Sequence, residues 1–190
     1  MNVYDFDKTI FYPDSSYCFC RFCYKKYPKL AARLILPGLG QAIRYKMSRG
    51  SAKALKETMF SFLGEIQDVD ALVAEFWEEN FCRIGQWYLT QKRPDDLIIS
   101  ASPDFLVRPA AQRLGVGLIA TDMDKKTGEI RGENCHDVEK VVRFNAEYPG
   151  GSVEEFYSDS LSDTPMAELA ERAFLVKKER LAPWPWDGLR

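Results

Sequence analysis

Asp5-Phe6-Asp7-Lys8-Thr9 sets two carboxylates and a hydroxyl within one short stretch, directly after the apolar pair Val3-Tyr4 and before Ile10-Phe11-Tyr12. Carboxylates brought close together repel unless a proton or a cation is shared between them. A hard divalent ion such as Mg²⁺ meets that need, because it takes oxygen ligands and accepts only a few protein carboxylates. The same residue types are common in turns, so the stretch alone reads equally well as one. Three further stretches carry matching groups: Ser100 in Ile98-Ile99-Ser100-Ala101-Ser102, Lys140 at the end of Asn134-Cys135-His136-Asp137-Val138-Glu139-Lys140, and Asp159 with Asp163 in Ser158-Asp159-Ser160-Leu161-Ser162-Asp163. Singly, Ser100 reads as a strand-end hydroxyl bonded to backbone and Lys140 as a solvated helix lysine. Together, a carboxylate nucleophile, a hydroxyl, a lysine and a second pair of acids suit one phosphoryl group and one Mg²⁺.

Such groups need elements that bring them to one place. Val3-Tyr4, Asp96–Ser100, Val116–Thr121, Val153–Tyr157 and Ala173–Val176 are apolar runs of strand length. Helical patterns separate the later ones, over Pro103–Leu114, Asp137–Tyr148 and from Thr164-Pro165 through Glu171. Alternating strands and helices predict an α/β core with a mostly parallel sheet and right-handed crossovers. Ligands in such sheets bind at the carboxyl ends of the strands, where all four polar stretches fall. Asp124–Gly128 reads as a turn into Glu129-Ile130-Arg131, a small hairpin, and Pro183-Trp184-Pro185-Trp186 as a non-helical tail packing its indoles on the core.

Between the first and second strands the pattern is helical. Pro13-Asp14-Ser15-Ser16 starts a helix bearing Tyr17, Cys20, Tyr24 and Tyr27. Further helices are predicted over Lys29–Leu36, Gln41–Met47 and Ser51–Phe62. One long helix should then run from Asp68 to Tyr88 on a broad apolar stripe.

Composition narrows the function classes. The 190 residues, 46% hydrophobic and 28% charged, suit one globular core with an insertion, and a net charge of −2 argues against nucleic-acid binding by the whole molecule. No secretory signal precedes Asp5, which with five cysteines, an odd number, predicts a cytoplasmic protein with reduced thiols. Cys18, Cys20 and Cys23 lack zinc-site spacing and read as helix packing. Between Ile10 and Lys56 there are ten Lys and Arg residues, including Lys25, Lys26, Lys29 and Arg33, against the single acid Asp14. This is either a solvated face or, beside Leu34-Ile35-Leu36, a surface for anionic substrates or an anionic membrane.

The four ordered motifs resemble those of the haloacid dehalogenase superfamily, in the phosphoserine phosphatase-like branch, subfamily IB. The resemblance covers most of the chain. It implies a three-layer α/β/α Rossmann-like core formed by residues 1–12 and 94–190, with a helical type C1 cap at 13–93 and a hairpin at 119–133. It further implies a Mg²⁺-dependent phosphomonoester hydrolase acting on a small phosphorylated metabolite or lipid phosphate. Asp5 would be the nucleophile that forms an aspartyl-phosphate, Asp7 the general acid and base, and Lys140 the neutralising cation. Ser100 and backbone amides near Phe6 and Ala101 would bind phosphoryl oxygens. Asp5, Asp159 and the carbonyl of Asp7 would hold Mg²⁺, with Asp163 in support. Asp14 either caps its helix or meets a substrate ammonium, and the arginine that phosphoserine phosphatases use for the substrate carboxylate has no counterpart. Two alternatives share the site: a phosphotransferase with the same intermediate, and a non-catalytic phosphate-binding or interaction protein.

Overall fold

The structure, a computed structural model, describes residues 1–30, Gly40 and 51–186. Most of the helix expected over Lys29–Leu36, all of that over Gln41–Met47, and Arg33, Arg44, Lys46 and Arg49 lie outside the described residues.

The frame is a six-stranded sheet. Its strands are β1 (Asn2–Tyr4), β2 (Leu97–Pro103), β3 (Gly117–Thr121), β4 (Val153–Ser158), β5 (Ala170–Lys177) and β6 (Arg180–Pro183), in the order β3-β2-β1-β4-β5-β6. All neighbours are parallel except β5 and β6. The helices are α1 (Ser15–Lys26), α2 (Ala52–Phe60), α3 (Val69–Asn80), α4 (Gln86–Gln91), α5 (Asp104–Leu114), α6 (Val138–Glu147) and the single turn α7 (Thr164–Ala167). This is the expected α/β Rossmann-like fold.

Strand alternation builds two cores. Val3, Leu97, Ile99 and Phe156 pack on one face with Phe144 and Trp184, while Tyr4, Ile98 and Tyr157 pack on the other with the aromatic side chains of α1, α3 and α4. Val3 is level with Leu97 on one side and with Phe156 on the other. A one-residue slip of β1 would exchange its two faces, so burial on both sides holds the register that carries Asp5.

Four expectations need correction. The helix foreseen over Asp68–Tyr88 is two helices. α3 stops at Asn80, a 3₁₀ turn at Phe81–Arg83 follows, and α4 restarts after Gly85 because Ile84 leaves the helix to bridge Phe11 beside the Asp motif. The helix expected through Glu171 ends at Ala167, since Ala170 onward is drawn into β5 against β4. Of the tail, Arg180–Pro183 forms an antiparallel edge strand and Trp184 is buried, whereas Trp186 is exposed. The hairpin is reduced to one antiparallel bridge, Met123 to Ile130.

Trp77 joins the inserted helices to the core. Its ring lies edge-on to Phe6 and Phe11, and its indole N–H donates to the Leu106 carbonyl at 2.7 Å. Trp77→Phe removes that bond, on a carbonyl that lies within helix α5, and should cost about 1 kcal/mol, seen as a lower urea midpoint at unchanged slope.

Candidate active site

The chain reverses directly after β1. The amides of Ile10 and Phe11 both donate to the Phe6 carbonyl at 2.9 Å, Lys8 N–H donates to the Phe11 carbonyl at 2.7 Å, and Lys8 takes the left-handed φ of 60°. Phe6 is buried against Phe11 and Trp77. With that ring anchored, the turn aims both Asp5 and Asp7 into a cavity of about 340 Å³ at the strand carboxyl ends, which Asp14, Ala101, Lys140, Asp159 and Asp163 also line.

The cavity floor is a buried ion cluster. Lys140, at 1% exposure, donates to Asp5 Oδ1 at 2.7 Å and to Asp163 Oδ2 at 2.8 Å. Ser158 donates to the same oxygen of Asp163 at 2.7 Å. The Thr9 hydroxyl donates to Asp5 Oδ2 at 3.2 Å and accepts from the Asp159 amide at 2.9 Å, tying β1 to the loop after β4. Burial and the neighbouring Asp163 push Asp5 up, Lys140 pulls it back, and the balance is about 7. Burial alone would lower Lys140, but Asp5 and Asp163 outweigh it and hold the ammonium well above its usual range.

Asp7 belongs to a second cluster. It accepts from the Ser15 amide at the start of α1 and from the Ser102 hydroxyl, each at 2.5 Å. Ser15 and Ser16 place their hydroxyls 3.2 and 2.8 Å from that of Ser102. Burial, and then Asp14, raise Asp7 to about 6. A carboxyl poised near neutrality can both give and take a proton.

Other expected residues are placed as follows. Asp14 caps α1, accepting from the Tyr17 amide at 2.9 Å, and also borders the cavity. Ser100 is wholly buried and accepts from the Ser102 amide at 3.0 Å; the hydroxyl presented to the cavity is that of Ser102, two residues on. Lys26 is ion-paired with Glu75 on α3, and Lys25 and Lys29 are exposed. Cys20 and Cys23 pack in the core beside the partly buried Cys18.

The sequence reading passed over Ser102, Lys56, His136, Tyr17 and Met59, all of which line the cavity. Ser102 carried a signal, being the second serine of Ser-Ala-Ser. The others become visible only once the inserted helices and the loop before α6 are folded over the site.

The donor set suits a hard cation. Asp5, Asp159 and Asp163 offer oxygen only, and burial raises both Asp5 and Asp159, so a divalent ion would relieve a clustering of acids that Lys140 alone does not neutralise. Among the described residues no three Asp, Glu, His or Cys side chains form a ready-made ligand cluster. Mg²⁺ itself needs only one or two protein carboxylates and keeps water on its other positions.

Among curated proteins, the chain is 26% identical over 183 residues to Protein CicA of Caulobacter vibrioides, covering 89% of this chain and 82% of that one. Among solved structures it is similar to a protein of unknown function from Bordetella pertussis Tohama I, with 26% identity, TM-score 0.77, and 91% and 87% of the two chains covered. It shares its fold with a phosphoserine phosphohydrolase-like protein from Francisella tularensis at 14% identity and TM-score 0.56, covering 94% and 88%. No described helix is long and apolar enough to cross a membrane. The model of the haloacid dehalogenase-like hydrolases matches residues 3–168, a span that contains all four polar stretches, and the chain belongs to that family.

Proposed function

We propose that this hydrolase is a Mg²⁺-dependent phosphomonoesterase that works through an aspartyl-phosphate on Asp5. The observation that carries the reading is the buried Asp5–Lys140–Asp163 cluster on the cavity floor, with Asp7 held separately on the wall. A carboxylate whose partner is an enclosed ammonium can approach an anionic phosphoryl group that bare acids would repel.

In the first half-reaction an Asp5 oxygen bonds to phosphorus, the ester bond breaks, and Asp7 gives its proton to the departing oxygen. In the second, Asp7 takes a proton from water as its oxygen attacks phosphorus, releasing phosphate and restoring Asp5. Lys140 counters charge on Asp5 and the phosphoryl oxygens, and Ser102, seated by Ser100, donates to Asp7 with the Ala101 and Phe6 backbone alongside. Asp5, Asp159 and the Asp7 carbonyl, supported by Asp163, would hold Mg²⁺, which when bound spreads the charge of the transferring oxygens.

Residues 13–93 act as the cap, with Tyr17 and Met59 facing the leaving group of a small phosphorylated metabolite or lipid phosphate. Lys25 and Lys29 offer positive charge to an anionic substrate or surface. Vesicle sedimentation tests this, since equal binding to anionic and neutral vesicles at low salt would remove the surface role. The enzyme works in the cytoplasm with its thiols reduced.

The test is phosphate release from p-nitrophenyl phosphate by the purified protein, with Mg²⁺ and with chelator. Turnover only with the ion supports the reading; no turnover on this ester or on a panel of phosphorylated metabolites sinks it. Mg²⁺ at about 100 times its dissociation constant should also add about 2.7 kcal/mol of stability. Thermal melts should show that gain for the wild type and lose most of it in Asp159→Asn.

A further inference from the structure

Lys56 stands in the middle of α2 and reaches the cavity from the inserted helices. Its amine donates to the Ala101 carbonyl at 2.5 Å and to Asn134 Oδ1 at 2.7 Å. Both acceptors are neutral, so a side chain that is mostly enclosed carries its charge with no carboxylate among the described residues hydrogen-bonded to it. Enclosing a cation this way is costly, which sets Lys56 apart from a lysine that only decorates a surface. The Thr121 hydroxyl lies 2.7 Å from the same carbonyl and 3.1 Å from the same Asn134 oxygen, closing a ring of four residues. The next residue after Ala101 is Ser102, whose hydroxyl donates to Asp7.

Two neighbours on the same helix face also reach the core. Lys53 donates to the Gly132 carbonyl at 2.6 Å, and Glu57 accepts from the Ile130 amide at 3.0 Å. These contacts fasten α2 to the 130–134 loop without entering the cavity. They provide a measure of what docking alone contributes.

We propose that Lys56 is a positioning residue for the hydrolysis described above, holding the end of β2 through Ala101 and Asn134 so that Ser102 keeps Asp7 in place. The inference rests on the phosphatase reading and assigns the inserted helices a part in setting the acid–base group. The groups facing Lys56 are Asp7 and Asp14 from the first strand and its turn, Cys135 from the loop before α6, and Lys140 from α6. Burial, offset by the first three and reinforced by Lys140, lowers the amine to about 8. An ammonium donates stronger hydrogen bonds than the neutral amine, so the hold weakens as pH rises through that value.

The experiment compares kcat, KM and their pH profiles for wild type, Lys56→Met, Lys56→Arg and Lys53→Met, with p-nitrophenyl phosphate and Mg²⁺. Lys56→Met should lower kcat about 10- to 100-fold with KM within about threefold of wild type, since misplacing a reacting group by a fraction of its contact distance has effects of that order. The wild-type rate should decline above a pH of about 8. That decline should vanish in Lys56→Met and move upward in Lys56→Arg, with Lys53→Met matching wild type. A Lys56→Met kcat within about threefold of wild type overturns the proposal, as does an unchanged alkaline decline in Lys56→Arg or a Lys53→Met protein that behaves like Lys56→Met. Should Lys56→Met fail to fold, the Arg profile decides. Retained turnover in Asp5→Asn would instead remove the aspartyl-phosphate mechanism, and absence of turnover in the wild type would remove the phosphatase reading itself.

Discussion

Asp5→Asn is expected to lower phosphate release by about 10⁴-fold or more, the scale on which loss of a covalent nucleophile is felt, with a far-ultraviolet spectrum like that of the wild type. An amide has no lone pair basic enough to attack phosphorus, yet it fills the same space and keeps an oxygen for Lys140, which also retains Asp163 at 2.8 Å. The acid side of the pH profile follows from the same group. Only ionised Asp5 can attack, and burial with the nearby Asp163, opposed by Lys140, places its titration near 7. The rate should therefore rise with pH through that region at low Mg²⁺, and rise at lower pH when Mg²⁺ is saturating, because a bound cation favours the carboxylate. A profile flat from pH 5 to 8 at low Mg²⁺, or an Asp5→Asn protein as active as wild type, would contradict the assignment.

Lys140→Met is expected to cost about 3–5 kcal/mol of folding stability and to abolish turnover as well, because removing one partner of a buried ion pair leaves the other charge uncompensated. Here two charges are left. Asp5 and Asp163 accept from the same ammonium at 2.7 and 2.8 Å, and both are enclosed. Without it each disfavours ionisation of the other, and at neutral pH the fold must bury an unpaired carboxylate or take up a proton. Urea denaturation should show the deficit largest above pH 7 and shrinking below pH 5, where protonation removes the repulsion. Lys140→Met/Asp163→Asn should recover part of the stability and none of the activity. Equal deficits at both pH values would mean that the lysine acts through packing, not charge.

The legible parts of this molecule were those written in periodicity and short motifs. The apolar runs at Leu97–Ile99, Gly117–Thr121 and Val153–Tyr157 declared a parallel sheet because strands covered on both faces need no polar alternation. Asp5, Asp7 and Asp163 stood out because each lies at or beside a strand end, where chain order already reports position, and Lys140, in the first turn of α6, through the short motif that precedes it. What stayed hidden depends on contacts between distant segments. Nothing local stops a helix at Asn80; Ile84 leaves it to meet Phe11. Ser100 and Ser102 are alike in sequence, and only the shift in strand register between Ser100 and Pro103 decides which hydroxyl meets Asp7. Lys56 was one of ten basic residues until α2 laid it across Ala101 and Asn134.

The central place of β1 in the sheet bears on when the enzyme becomes an enzyme during synthesis. Asn2–Tyr4 lies between β2 and β4, and the Asp5 amide donates to the Tyr157 carbonyl at 2.8 Å. The residues of β1 are thus seated by residues of β4 that are made much later, and at roughly 5–20 residues per second several seconds separate them. Through that interval the aromatic residues that flank the Asp motif must be kept from other partners. The nascent chain also holds Asp5 and Asp7 apart from Lys140, so until the sheet closes these carboxylates stay hydrated. The Asp5–Lys140 contact forms only once that sheet has closed.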